Sequence, residues 1–274
     1  MTQEQLPDDV YEVYAIRYAA NPRRMRGHNL VLDLRQEEAH PMDFYTWVAV
    51  GRNNAFIIDT GMSKSNAEKH GHQFLRCPIE QLRSLGVDPS TALHAIITHA
   101  HYDHIGNMDL LPKATFEMQR AEMDFISGPY MGQAWFRRPY DAQEVSRLLE
   151  YLFKGRVRLH GADRKIAPGL SVHWVGGHTP GQEVVRVKTK RGWVVLASDA
   201  LHYYEEFDRR VPFVVATNFL EMMDAHDRIR DLADSDEHVV PAHDPLVMER
   251  YPAARPDLSG IAVRLDVPPK AAKG

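Results

Sequence analysis

The stretch Thr98-His99-Ala100-His101-Tyr102-Asp103-His104 puts three imidazoles and a carboxylate within six residues, in the spacing H-x-H-x-D-H. Neutral imidazole nitrogens and carboxylate oxygens are what zinc and similar divalent metals take from proteins. A lone histidine at a strand end is ordinarily a solvated or hydrogen-bonded side chain. A cluster this dense is costly to bury unless a metal or counter-charge satisfies it, so a metal site is expected here.

The hydrophobic pattern shows which elements must carry these groups. Ala92 to Ile97 is an apolar, β-branched run that reads as a buried strand ending at the motif, and Ile105 to Leu111, closed by Pro112, reads as a short helix. Three further apolar runs, Leu170 to Val175, Trp193 to Ala197 and His238 to Val240, lead to His178, Asp199 and His243. Strand C-termini in one sheet share an edge, so His99, His178, Asp199 and His243 can converge although they are far apart in sequence. With His101, Asp103 and His104 they make five histidines and two aspartates. A structural zinc takes four ligands. Seven fit two metals about 4 Å apart that share one carboxylate.

Val10 to Tyr18, Leu30 to Leu34, Asp43 to Val50 and Ala55 to Asp59 read as strands, the last two as a hairpin turning at Gly51 to Asn54. Arg23-Arg24-Met25-Arg26 reads as a solvated loop rather than a phosphate site. Ser63 to Cys77 is polar, and its His70 and His72 read as surface residues. Pro78 to Leu85 is expected as a helix stopped by Gly86. Ala114 to Met118 reads as a strand, and from about residue 120 to 156 strand pattern gives way to helical segments rich in large apolar groups. That insertion packs as a helical layer, serves as a substrate cap, or does both. Glu183 to Val187 reads as a strand and Met222 to Leu232 as a helix. Ile261 to Leu265 could add a strand, and the last seven residues are expected to be disordered.

Composition narrows the classes. The chain has 274 residues, 44% hydrophobic and 26% charged, which is globular rather than disordered. Its formal net charge of -4 and the lack of a basic stripe argue against nucleic-acid binding. Cys77 is the single cysteine and excludes an intrachain disulfide. Met1 to Asp9 lacks the basic start and apolar run of a signal peptide, and no apolar stretch approaches bilayer length. The expectation is a soluble cytoplasmic protein, without nucleic-acid or membrane partners.

The H-x-H-x-D-H run, Gly177-His178-Thr179, Ser198-Asp199 and Ala242-His243, in this order and at strand ends over roughly residues 10–250, resemble the metallo-β-lactamase superfamily. The resemblance implies an α+β fold, a four-layer αβ/βα sandwich of two mixed sheets with helices outside. Residues 1–252 would form one domain with the helical insertion inside it, and 253–274 a partly disordered tail. It also implies that His99, His101 and His178 hold one metal, that Asp103, His104 and His243 hold another, and that Asp199 bridges them. Asp59 in Ile58-Asp59-Thr60-Gly61 would support the site from beneath. The cofactors would be two divalent ions, zinc by default, with manganese, iron or cobalt also compatible.

Within the superfamily, the chain is most similar to the N-acyl homoserine lactonase group, through Ser198-Asp199-Ala200, the complete ligand set, the size and the insertion. This implies opening of a lactone ring by a metal-bridging hydroxide, with Asp103 passing a proton to the leaving alkoxide. Phe44, Met131, Trp135 and Phe136 would hold an apolar acyl portion. One position departs: the group carries a tyrosine three residues after the bridging aspartate, where this chain has His202, followed by Tyr203 and Tyr204. Either His202 or Tyr203 contacts the oxyanion, or the substrate differs. Alternatives on the same fold are hydrolysis of another ester, a thioester or a phosphodiester, for which Arg137-Arg138 is the available basic pair. A mononuclear-iron sulfur dioxygenase would need fewer ligands, and a non-catalytic metal protein would not need a complete double set. The apolar insertion could also mediate a homodimer.

Overall fold

The computed structural model describes Pro7 and residues 9–270. Among these, the strands are β1 (Glu12–Asn21), β2 (Met42–Val50), β3 (Ala55–Ile58), β4 (Gln73–Phe74), β5 (His94–Ile96), β6 (Thr115–Gln119), β7 (Val157–His160), β8 (Arg164–Ala167), β9 (Leu170–Trp174), β10 (Glu183–Thr189), β11 (Gly192–Leu196), β12 (Val239–Val240) and β13 (Ala262–Arg264). The helices are α1 (Lys64–Lys69), α2 (Pro78–Gln81), α3 (Arg120–Ile126), α4 (Ala134–Arg137), α5 (Ala142–Phe153), α6 (Tyr204–Arg209), α7 (Phe219–Leu232) and α8 (Leu246–Arg250).

The strands form two mixed sheets. One has the order β13-β1-β2-β3-β5-β6-β7, with β4 also on β1, and the other the order β12-β11-β10-β9-β8. The period of two along each strand decides what each face meets. Val185, Val187, Val194 and Leu196 face Tyr45, Trp47, Phe56 and Ile58 of the first sheet, forming the core between the sheets. Their neighbours Val184 and Val195 face the other way, against Phe207 of α6 and Ala225 and Ile229 of α7. On the far side of the first sheet, Ile57, Ala95 and Phe116 meet Ile79 of α2, Met123 of α3 and Leu148 and Tyr151 of α5. The result is helix, sheet, sheet, helix, the α+β sandwich expected above.

Three segments differ from the sequence reading. Leu30 to Leu34 is not a strand: it runs through turns, Leu32 has φ 54°, and Leu34 is 99% exposed. Long-range contacts hold this segment, Leu30 bridging to Phe213 and Asp33 ion-paired to Arg209 at 2.8 Å. Between Ile105 and Leu111 only a 3-10 turn at Met108–Leu110 forms, because Gly106 and Asn107 bond to Gly61, Thr60 and Met62 instead of continuing a helix. Much of the expected tail after residue 252 packs on the body: β13 forms within the Ile261 to Leu265 run that could add a strand and pairs with β1, and Leu258, Val263 and Leu265 are buried. Of the last seven residues, 271–274 lie outside the described residues. The insertion divides its work: α5 packs the core, while residues 125–140 reach over the site.

Glu144, in the first turn of α5, is buried, and its Oε1 accepts from the Asn66 amide at 2.7 Å. Burial pushes its carboxyl up to about 7, against the pull of Asn66. The fold therefore prefers the protonated acid. That stabilisation is complete below the ordinary value of 4.5 and is lost as pH rises through 7. Glu144→Gln keeps an acceptor for Asn66 without the charge. It should be more stable than the parent by roughly 1–3 kcal/mol at pH 8 and level with it near pH 5, in denaturant melts at matched metal loading. An equal gap at both pH values would contradict this.

Candidate metal centre

Parallel pairing brings the loops together. β3 and β5 run in the register Ile58↔Ile96, so Asp59 and the Thr98–His104 loop leave the first sheet side by side. In the second sheet β11 and β12 are parallel with Leu196↔Val240, which brings out Asp199 and His243 at one edge. The loop after β9 adds His178. Two sets of buried groups result, His99, His101, His178 and Asp199, and Asp103, His104, Asp199 and His243. In each, the donor atoms lie within 4.8 Å of one another.

Asp199 belongs to both sets and divides its oxygens between them. Oδ1 is 3.2 Å from His104 Nε2 and 3.1 Å from His243 Nε2. Oδ2 is 3.3 Å from His178 Nε2 and 3.9 Å from His99 Nε2. His101 Nδ1 and His178 Nε2 converge to 3.0 Å, and Asp103 Oδ2 lies 3.7 and 3.8 Å from His104 and His243. The Nε2 atoms of His99 and His104 are buried without a hydrogen-bond partner. Buried ring nitrogens with no protein partner, facing carboxylate oxygens, fit a divalent cation.

The rings are aimed from behind. His104 Nδ1 donates to Asp59 Oδ2 at 2.8 Å, His178 Nδ1 to the Val215 carbonyl at 2.7 Å, and His243 Nδ1 to the Asp43 carbonyl at 2.9 Å. Each bond commits Nδ1 as donor and leaves Nε2 available to ligate a cation. Asp59 also accepts from the Thr98 amide and hydroxyl, both at 2.8 Å, and Thr98 Oγ1 meets Ser198 Oγ at 2.7 Å. That chain joins the two sheets under the site. Asp59 and Ser198 have φ of 61° and 45°, an unfavourable backbone that these bonds hold in place. Gly177, at φ 84°, lets the His178 loop sit against α7, where a Cβ would come within 2.5 Å of the Met222 amide.

Burial keeps His99 and His101 well below the ordinary imidazole range and His178 down to about 3. His104 feels the same burial, but Asp199, Asp59 and Asp103 outweigh it and raise the ring well above its ordinary value. Burial disfavours ionised Asp199, yet His243, His104 and His202 overcome this and hold it well below the carboxylate range. His202 is likewise pushed up to about 9, burial being outweighed by Asp199 and Glu206. Cations in the two sets would compete with those protons.

The sequence candidates separate clearly. His202 lies on the cleft above Asp199, its Nε2 3.1 Å from Oδ2 and its ring stacked on Phe213 at 3.6 Å. Tyr203 points elsewhere: its hydroxyl accepts from Asn29 Nδ2 at 2.9 Å and donates to the Pro41 carbonyl at 3.3 Å. Phe44 lines the same cleft, and Trp135 and Phe136 line an adjoining one. Met131 is on neither lining, because its 3-10 turn (Pro129–Gly132) precedes the helix that reaches the site.

Three contributions escaped the sequence reading. His72 is not a surface residue; it lines the cleft, with Nε2 2.8 Å from the Tyr102 hydroxyl and its ring 4.6 Å from Phe44. The basic run is not a solvated loop either, since Arg26 is buried and Arg24 lines the cleft. Glu122, fully buried on α3, accepts from the Ala100 and Gly181 amides at 2.9 and 3.1 Å and so ties the two histidine loops together. A glutamate at a helix start carries no such signal in sequence.

Residues 44–243 match the profile of the metallo-beta-lactamase superfamily, and the chain belongs to that superfamily. Among characterised proteins it is similar to an N-acyl homoserine lactonase of Bacillus cereus, 29% identical over 172 residues. It also resembles N-acyl homoserine lactonase AttM of Rhizobium radiobacter, 23% identical over 171 residues. These matches cover 57% and 61% of this chain and 63% and 64% of those proteins, so the chain spans less than two thirds of their lengths. The fold resembles that of a quorum-quenching N-acyl homoserine lactone lactonase, with TM-score 0.72 at 20% identity, covering 88% of this chain and 95% of that one. It also resembles AidC, described as a dizinc quorum-quenching lactonase, with TM-score 0.70 at 14% identity over 88% and 90% of the two chains. Among the described residues, no helix is long and apolar enough to cross a membrane.

Asp59→Asn places an amide donor against His104 Nδ1, which turns the ring to the tautomer that cannot ligate through Nε2. Metal affinity at that set should fall about 10- to 100-fold, read from metal content and competition with a chelator, with circular dichroism unchanged. Undiminished affinity would remove Asp59 from the support of the site.

Proposed function

We propose that this chain is a dinuclear metal-dependent hydrolase that opens a lactone ring, of the N-acyl homoserine lactone type. The observation that carries the proposal is Asp199, whose two oxygens each meet a separate set of imidazoles. The named relatives support the substrate class. Divalent cations held by the two sets would supply Lewis acidity and a water acidic enough to be hydroxide near neutral pH.

The chain's own residues do the rest. Asp199 and the buried rings hold their positions before substrate arrives, so little reorganisation accompanies the reaction. His202 faces the cleft and can donate from Nε2 to the carbonyl oxygen as charge develops there. Glu206 Oε1, 3.7 Å behind Nδ1, and the Phe213 ring keep it oriented. Asp103, on the opposite set, can hand a proton to the departing alkoxide. Phe44, Trp135 and Phe136 offer apolar surface to the acyl part, and zinc suits the donor set, as do manganese, iron and cobalt. Tyr203 serves as a brace rather than a donor to substrate.

Proton release on opening of N-hexanoyl homoserine lactone by the metal-loaded chain tests this. Turnover abolished by a chelator and restored by zinc is expected, and no turnover of any acyl homoserine lactone would contradict the substrate class. Asp199→Ala should lose roughly a thousandfold or more in kcat with the fold kept; full turnover by that variant with both metals bound would contradict the bridging role. His202→Phe should lower kcat/KM about 100-fold and Tyr203→Phe less than about tenfold. The reverse order would return the oxyanion contact to Tyr203.

A further inference from the structure

The hydrolytic reading accounts for the histidines and aspartates of the cleft but not for its cations. Arg24 and Arg26 lie two residues apart in one loop and have opposite surroundings. Arg26 is buried against Asp33 at 2.9 Å and against Glu205, and Arg209 reaches the same two carboxylates. Arg24 has no carboxylate within ion-pair distance among the described residues. Its Nε donates to Asn29 Oδ1 at 2.6 Å and its Nη2 to the His28 carbonyl at 2.5 Å, both neutral acceptors.

Arg24 is therefore held in place without being neutralised. Asn29 is itself fixed, donating to the His40 carbonyl and the Tyr203 hydroxyl, each at 2.9 Å. This gives Tyr203 its place in the site: it braces Asn29, and Asn29 braces Arg24. Arg24 lines the cleft together with His101, Asp103 and Asp199. Asp103 is the carboxylate whose charge reaches it, and Asp103 already belongs to a metal set. The adjoining cleft carries a second such cation. Arg138 stacks over Trp135 at 5.0 Å and, among the described residues, also meets no carboxylate. The two clefts share His101, Pro139, His178 and Val215, so an arginine stands on each side of the shared metal ligands. A chain of net charge -4 does not gather unpaired arginines at one cleft as part of a generally basic surface.

We infer that the substrate carries, besides the scissile ester, an anionic group, a carboxylate or a phosphate, which Arg24 binds and Arg138 helps to attract. The inference rests on the hydrolytic reading and narrows it from acyl homoserine lactones at large to those whose acyl part also carries an acid. A preorganised guanidinium offers such an oxyanion a fixed fork at little ordering cost. Arg24 takes no part in bond breaking: water adds to the carbonyl, the ester C–O bond breaks to acid and alcohol, and the anionic group is unchanged.

Calorimetric titration of the metal-loaded full chain with paired ligands tests it. Straight-chain diacids of four to eight carbons are compared with monoacids of equal length; each has one carboxylate for the metals, and the diacid a second for Arg24. At one or more lengths the diacid should bind about tenfold tighter, beyond the twofold statistical factor of having two ends. Arg24→Gln should bring the ratio close to the statistical factor, and Arg24→Lys should keep part of it. Repeating the best length with one carboxylate replaced by phosphate tells which oxyanion is preferred. Equal binding of diacid and monoacid at every length by the parent chain would overturn the inference whatever the variants do, as would a gain that survives Arg24→Gln. If neutral acyl lactones are opened and no diacid gain exists, this inference alone falls. If no lactone is opened but the gain depends on Arg24, the anion site stands and the lactone reading falls.

Discussion

An ionised carboxylate buried among imidazoles is the interaction on which the rest of this structure depends. Asp199 has almost no contact with solvent, so its charge is tolerable only because His104, His178, His202 and His243 surround it. Those rings are in turn held near one another by that charge. Remove the carboxylate and several neutral imidazoles are left buried with few partners; remove the rings and a lone anion is left in the interior. Cations would satisfy the ring nitrogens that no protein group reaches.

The two sheets exist in this form to bring that convergence about. Each supplies a pair of parallel strands whose ends release ligands at a common edge, and a short hydrogen-bonded chain from Asp59 through Thr98 to Ser198 ties the edges together. The unfavourable backbone at Asp59 and Ser198 lies at the two ends of that chain. Strain of this kind persists only where the surroundings over-determine it, and here the surroundings are the interlocked ligand loops. Glu122 adds a third tie, from a helix outside the sheet to the backbone of both histidine loops.

The clustering of these histidines and aspartates was legible in the sequence because the side chains are chemically distinctive and their loops follow apolar runs that read as strands. The fold class came through the family resemblance that those motifs carry, and the individual strands through their apolar pattern. What sequence could not supply was contact between segments without period. Leu30 to Leu34 looked like a strand because it is apolar, yet its conformation is set by Phe213 and by an Arg26–Asp33–Glu205 cluster whose members lie up to 179 residues apart. Arg24 and His72 looked like surface residues because nothing local shows that their loops fold over the metal ligands. Met131 looked like a pocket residue because large apolar side chains cluster around it, but the turn that carries it ends short of the cleft. His202 and Tyr203 are adjacent in sequence and face different ways, which only the turn after Asp199 decides.

These displaced residues are what distinguish this member of the superfamily. His202, on the cleft above Asp199, and Arg24, which meets no carboxylate among the described residues, concern what the cleft accepts. The central claim, however, is that Asp199 joins two metal sites, and it is tested most directly by anomalous X-ray scattering from crystals of the zinc-loaded chain. The account predicts two peaks on either side of Asp199, about 3.5–4 Å apart, one among His99, His101 and His178 and the other among Asp103, His104 and His243. A single peak held by one set, with Asp199 contacting that ion alone at full zinc occupancy, would contradict it.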